Sequence, residues 1–340
     1  MADEPVSDPA PGDDTPLTRA EARRAAEASS FQDHVRTARE ELEQQFGRAR
    51  DELGQVNERI NARSGRNLLM ATLIGLAIGV VVVGTLLWIK WLFLVFAIPV
   101  CLLGLFEFSR ALQAGGRRVD VWPQLVVGTL IMVAAFFEGH WTHWVITFAG
   151  IAALIVWRLI AQMAARDGRR YGDVLADVLV AGFVPLYVPF LASLLLVLLR
   201  QDEGQYWVLT MIVTTVAVDT GAYAAGVTLG KHPMAPRISP KKTWEGFGGA
   251  TLAAVIAATL MSVFMLHLPI WAGILFGLLI LASATIGDLG ESMIKRDLGI
   301  KDMSSWLPGH GGVLDRLDSI LPSAAVALGA FFLFSPLAVS

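Results

Sequence analysis

Cysteine is almost absent from this 340-residue chain, with Cys101 the only one. An intramolecular disulfide and a Cys-rich metal site are therefore excluded. An excess of positive charge is also missing. The formal net charge is −3, which argues against a strongly basic nucleic-acid binder. The first 66 residues contain no long apolar run, and the opening MADEPVSDPAPGDDTP is acidic and proline-rich. That pattern lacks the basic start and apolar core of a cleavable signal and reads as a disordered tail over 1–17. No internal repeat is evident, which disfavours an inverted-repeat transporter. Charge is scarce overall: 17% of residues are charged and 54% are hydrophobic, with a mean hydropathy of +0.56. Average soluble domains hold about 25% charged residues.

The distribution is lopsided. Residues 1–66 carry 14 of the 30 acidic and 10 of the 27 basic side chains. Within them, Val35, Leu42, Ala49 and Val56 recur every seven residues, with Phe46, Leu53 and Ile60 in a second row. This predicts an amphipathic helical extension over 18–66, read as a short coiled coil, a membrane-surface helix or a solvated arm. The rest, 67–340, is expected to form an all-α transmembrane domain. Nine apolar segments stand near 67–88, 91–106, 122–137, 144–161, 175–199, 206–229, 250–267, 270–288 and 320–338. A span needs about 20 residues, so the second and third must extend into their flanks. Trp88, Trp91, Trp122, Trp141, Trp144, Trp157, Trp207 and Trp271 lie near segment ends, as interfacial tryptophans do.

Loop charges predict orientation. With the N-terminus cytoplasmic and sides alternating, 15 basic residues fall in inner loops, and only Lys90 and Arg200 fall outside. That asymmetry supports an odd number of spans, about nine, and an external C-terminus. Pro185 and Pro189 should kink the fifth span, either for packing or as a lateral lipid entrance.

Polar residues concentrate in the C-terminal third, about 206–320, on the expected cytoplasmic side. Asp219 follows the apolar run MIVTTVAV. A carboxylate there is costly unless it is paired, metal-bound or able to reach headgroup water. Gly221 and Gly226 beside it would allow close helix approach. In Arg237-Ile-Ser-Pro-Lys-Lys-Thr-Trp-Glu-Gly246, Ser239 and Pro240 read as a helix start. Lys241 and Lys242 then fall in the first turn, where free amides and ammonium groups suit phosphate or anchor the chain to an anionic surface.

The third block runs from Gly287 to Asp318. Asp288, Ser292 and Lys295 share a helix face, and Glu291 and Lys295 are i, i+4 neighbours. Lys301 follows, then the loop Pro308-Gly-His310-Gly311-Gly312, whose glycines permit positive φ and close backbone approach. Asp315 and Asp318 lie at i, i+3 on the helix into the last span, with Arg316 between them. Hard oxygen donors favour Mg²⁺ over zinc. Aspartates flanked by Lys and Arg suit a polyphosphate.

Ser292-x-Ile-Lys-Arg-x4-Lys301-Asp302-x-Ser304-x2-Leu307-Pro308-x-His310-Gly-Gly-Val313-x-Asp315-Arg316-Leu317-Asp318 resembles the signature of the phosphatidate cytidylyltransferase family, without departure over these 27 positions. Asp219-Thr-Gly-Ala-Tyr and Ser239-Pro-Lys-Lys-Thr-Trp-Glu-Gly are also similar to segments of that family. The likeness covers roughly 67–338. It implies Mg²⁺-dependent formation of CDP-diacylglycerol and pyrophosphate from CTP and phosphatidic acid, in the bilayer of a bacterial-type inner membrane. It further implies metal-binding aspartates at Asp288 and Asp315, a homodimer and a second, monovalent cation such as K⁺. On this reading Asp219 and Asp318 are further metal ligands or lie just behind them. Lys295, Arg296, His310 and Arg316 act in catalysis. Ser239, Lys241, Lys242, Ser292, Lys301, Gly311 and Gly312 contact substrate. The rival expectations are another CTP-dependent membrane lipid enzyme, such as a polyprenol kinase or a cytidylyltransferase for another lipid phosphate, and, more remotely, a cation transporter or channel.

Overall fold

A computed structural model describes residues 68–88, 90–165, 168–304 and 311–338. The expected tail and helical extension over 1–66, and His310, lie outside the described residues. From Met70 onward the described chain forms one unit. Its elements are α1 (Leu68–Trp88), α2 (Lys90–Ala114), α3 (Val121–Phe137), α4 (His140–Ala165), α5 (Tyr171–Pro185), a π-helical turn (Leu186–Phe190) and α6 (Leu191–Leu199). There follow α7 (Gly204–Leu229), β1 (Pro233–Ala235), β2 (Ser239–Thr243), α8 (Trp244–Met265), α9 (Ile270–Asp297), α10 (Leu314–Leu317) and α11 (Ile320–Phe334).

Among the described residues, seven helical stretches are long and apolar enough to cross a membrane, and α3 and Gly75–Trp88 of α1 are shorter apolar helices. Each expected apolar segment thus has its helix. The second extends to Ala114, well past its apolar run. Large apolar side chains stay exposed along several helices. Leu252, Ile256, Leu260 and Phe264 run down one face of α8, a face suited to lipid rather than water. Trp88, Trp122 and Trp141 are strongly exposed, as expected of interfacial tryptophans. Trp207 is not one of them. It is buried and meets Phe276 and Phe331 edge-on, with centroids at 6.1 and 5.4 Å. A tryptophan near a segment end satisfies the belt rule by position alone, and here aromatic partners on α9 and α11 bury it instead.

Glycine and alanine set the helix contacts that carry the site. A Cβ added at Gly221 would stand 2.7 Å from the Gly249 carbonyl oxygen, and one at Gly249 would stand 2.7 Å from the Gly221 oxygen. Helices α7 and α8 therefore cross backbone to backbone. Gly273 and Gly277 on α9 meet α8 in the same way, at Thr259 and Ala254.

Two expectations are corrected here. The unit is not wholly α-helical, because β1 and β2 form an antiparallel hairpin, with Pro233 opposite Thr243 and Ala235 opposite Ser239. Lys241 and Lys242 accordingly lie on a strand and not in a first helical turn. Helix α8 begins at Trp244, with Thr243 as its N-cap accepting the Gly246 amide at 3.1 Å. Ser-Pro resembles a helix start, but proline equally suits a strand edge, and Thr243 with Gly246 offers the better cap.

The fifth expected span is continuous but not uniform. Pro185 ends α5, and the chain passes through the π turn, which contains Pro189, before α6 resumes. A missing N–H and a wide turn replace a simple kink.

Candidate active site

The C-terminal part of α9, the hairpin, the segment after Gly299 and the start of α10 and α11 gather their charged side chains together. Position begins with backbone contact. A Cβ at Gly287 would collide with the Asp318 carbonyl oxygen and Pro322, so α9 and the α10–α11 junction touch there. Ser283 and Ser323 bond across the same pair of helices at 2.9 Å.

On α9, Lys295 Nζ sits between two carboxylates, 3.2 Å from Glu291 Oε2 and 2.9 Å from Asp315 Oδ1. Asp315 is nearly saturated. Its oxygens also accept the Gly312 amide at 2.7 Å and the Met303 amide at 3.2 and 3.3 Å. Two turns back from Lys295, Asp288 pairs with Lys242 of β2 and accepts a long bond of 3.4 Å from Ser292 Oγ. Arg296 holds the hairpin in place by donating to the Ile238 carbonyl at 3.2 Å. Asp318 is buried and accepts the Ser319 amide at 2.7 Å. Asp219 is exposed on α7, within electrostatic range of Asp318, Asp288, Lys242 and Arg316.

The two loop glycines are explained by these carboxylates. Gly311 has φ of +81°, and a Cβ there would lie 2.8 Å from Asp315 Oδ2. A Cβ at Gly312 would lie 2.7 Å from Glu107 Oε2. Their place is against protein carboxylates, which they allow to approach the backbone. Ser239 is half-buried in β2, and Lys241 and Lys301 are exposed.

Glu107 has no counterpart in the sequence-based list. It is buried on α2, nearly 200 positions away in sequence. Its Oε1 accepts Ser304 Oγ at 2.5 Å, and its Oε2 accepts the Leu314 amide at 2.9 Å. One carboxylate thus ties down both sides of 305–313. A signal for it existed: a Glu between Phe106 and Phe108, inside an apolar run, is as costly as Asp219 and demands a partner for the same reason.

Five carboxylates (Asp219, Asp288, Glu291, Asp315, Asp318) share this region with Lys242, Lys295 and Arg316. Glu291 Oε1 is buried and has no donor among the described residues, and the Glu291 carboxyl group lies within hydrogen-bonding reach of the Asp318 carboxyl group. No three of the acidic or His side chains form a ready-made metal cage among the described residues. The surplus of hard, anionic oxygens over cations nevertheless fits a divalent ion such as Mg²⁺. Asp288 and Asp219 keep the more accessible oxygens, whereas those of Asp315 are occupied.

Carboxylates interleaved with ammonium and guanidinium groups, at the end of helices apolar enough to cross a membrane, suit the class of enzymes that handle phosphate esters. Comparison with known proteins gives the class its family. Residues 69–334 match the family described as Cytidylyltransferase family. The phosphatidate cytidylyltransferases of Mycobacterium bovis and Mycobacterium leprae are each 37% identical to the chain. Both cover 78% of it, over 89% and 88% of their own lengths. That of Brucella suis is 33% identical over 74% of the chain and 91% of its own length. The chain belongs to the cytidylyltransferase family and is a nucleotidyltransferase.

Proposed function

We propose that the chain converts CTP and phosphatidic acid to CDP-diacylglycerol and pyrophosphate, with Mg²⁺. The observation that carries this reading is the pairing of Lys242 with Asp288 and of Lys295 with Asp315 at one end of the helices, within a chain similar to phosphatidate cytidylyltransferases over nearly their whole length. A phosphate oxygen of the lipid attacks the α-phosphorus of CTP, the bond from that phosphorus to the bridging oxygen breaks, and pyrophosphate leaves. The attacking oxygen is already anionic near neutral pH, so no strong general base is needed. The barrier is mainly repulsion between anions and their alignment.

The protein's own groups address both. Lys295, steadied by Glu291 and Asp315, presents a fixed positive charge. Lys242, Arg296 and Arg316 add charge around it, and His310 belongs to the same signature segment. Lys241 and Lys301, both exposed, together with Ser239 and Ser292, are the contacts proposed for phosphate groups. Gly311 and Gly312 keep the backbone close to Asp315. Asp288 with Asp219 and Asp318 would hold Mg²⁺, and Asp315 would contribute in exchange for its bond to Lys295. When bound, the ion supplies neutralisation of phosphate charge. A monovalent cation such as K⁺ and a homodimer belong to the same proposal.

Positive-inside asymmetry supports nine spans, a cytoplasmic N-terminus, an external C-terminus and an active site on the cytoplasmic face of a bacterial-type inner membrane. CTP is found on that side.

The test is transfer of label from α-labelled CTP to lipid, in detergent with phosphatidic acid, with and without Mg²⁺. Labelled lipid with release of pyrophosphate supports the reading. Label left in CDP indicates a kinase, and intact CTP beside a folded protein overturns the reading for this lipid.

A further inference from the structure

Tyr187 lies in the π turn between α5 and α6, far in sequence from every signature residue. Its hydroxyl is buried and has no hydrogen-bond partner among the described residues. Buried tyrosine hydroxyls normally find one, and an exception requires an explanation. The ring itself is firmly held. It stacks on Phe183 at 5.4 Å with an interplanar angle of 9°, and meets Phe108 edge-on at 5.7 Å. Phe108 directly follows Glu107, which accepts hydrogen bonds from Ser304 and Leu314. The phenol stands within electrostatic range of Glu291, Asp318 and Asp288. It is therefore a rigid, neutral O–H donor beside the charged cluster, placed there by a wide turn of the kind often found at functional sites.

We propose that the Tyr187 hydroxyl donates a hydrogen bond to a phosphate oxygen of bound substrate. This makes it a substrate-contacting residue supplied by the N-terminal half of the domain. The inference rests on the cytidylyl-transfer reading. The acceptor is a phosphoryl oxygen, which either the lipid phosphate or the CTP triphosphate provides.

Tyr187→Phe removes only the hydroxyl. Because that hydroxyl has no partner to lose, thermal stability should be unchanged or slightly raised. Loss of a donor to an oxyanion should lower kcat/KM about 10-fold or more. Wild-type protein assayed in parallel separates the two readings, since absence of transfer there removes the parent reaction and not Tyr187 alone. A raised KM for phosphatidic acid alone assigns the contact to the lipid phosphate, and a raised KM for CTP alone assigns it to the nucleotide. A lower kcat with both KM values unchanged assigns it to the transition state. Wild-type kinetics in folded Tyr187→Phe would overturn the proposal. So would an activity loss matched by a drop in thermal midpoint, because the hydroxyl would then have been structural.

Discussion

Glu107→Ala should loosen the active-site segment without touching any residue of the signature. The change removes the acceptor for Ser304 Oγ and for the Leu314 amide, and Leu314 is fully buried. Hydrogen bonds to a charged group contribute about 1.5–3 kcal/mol each. Relief of the carboxylate's own desolvation returns part of that. A net loss of about 2–4 kcal/mol in the local closing free energy follows. At roughly 1.4 kcal/mol per factor of ten, amide hydrogen exchange over 311–316 should accelerate about 30- to 1,000-fold. Turnover should fall at least about 10-fold, since Asp315 loses its fixed register. Glu107→Gln is the rescue variant. Its Oε1 accepts the Leu314 amide and its Nε2 donates to Ser304 Oγ, so both bonds persist as neutral ones, and exchange should rise about 10-fold or less. Wild-type exchange over 311–316 together with wild-type turnover in Glu107→Ala would refute the clamp.

Asp288→Asn and Asp315→Asn should each abolish cytidylyl transfer while the protein remains monodisperse in detergent; near-normal turnover in either would remove that residue from the machinery. Only Asp315→Asn should also lower the thermal midpoint appreciably, because it deprives a largely buried Lys295 and two amides of their anion. Lys242→Met, which breaks the pair with Asp288, should reduce kcat/KM more than Lys241→Met at the neighbouring exposed position, in parallel assays at matched protein concentration. Gly287→Ala should fail to assemble or lose stability by more than about 2 kcal/mol, as read by size-exclusion and thermal melting, because its Cβ meets Asp318 and Pro322. Gly290→Ala, three residues on, meets nothing and should gain up to about 1 kcal/mol from helix propensity.

Helices and their approximate limits were legible because lipid-facing segments must be apolar throughout, and such runs are easily read. The small-residue crossing at Gly221 was legible for a related reason: a glycine inside a span has few uses except close approach. The hairpin at 233–243 was not. Its two strands are three and five residues long, too short for any periodicity, and Ser-Pro carries the same local signal at a strand edge as at a helix start. Within the site, residues close in sequence were paired correctly, as with Lys295 and Glu291 at i, i+4. Residues brought together only by packing were not. Lys242 meets Asp288 through the hairpin's return, and Glu107 meets Leu314 across 207 positions. A buried charge announces that it needs a partner, but not which partner.

That asymmetry bears on how the site is divided along the chain. The signature segment supplies most of the charged groups, yet its shape depends on side chains outside it. Glu107 fixes the two sides of 305–313, and Phe108 beside it packs against Tyr187 in the π turn. One stretch of α2 therefore couples the start of α10, which carries Asp315, to the turn that carries Tyr187. Both contacts lie on helices that would pass for lipid-facing scaffold if judged by apolarity alone. The Glu107 carboxylate is tolerated there because the Ser304 hydroxyl and the Leu314 amide meet it and Gly312 leaves it room, whereas the Tyr187 hydroxyl has no partner among the described residues. Substitutions in α2 and the π turn should consequently alter catalysis as strongly as many within the signature itself.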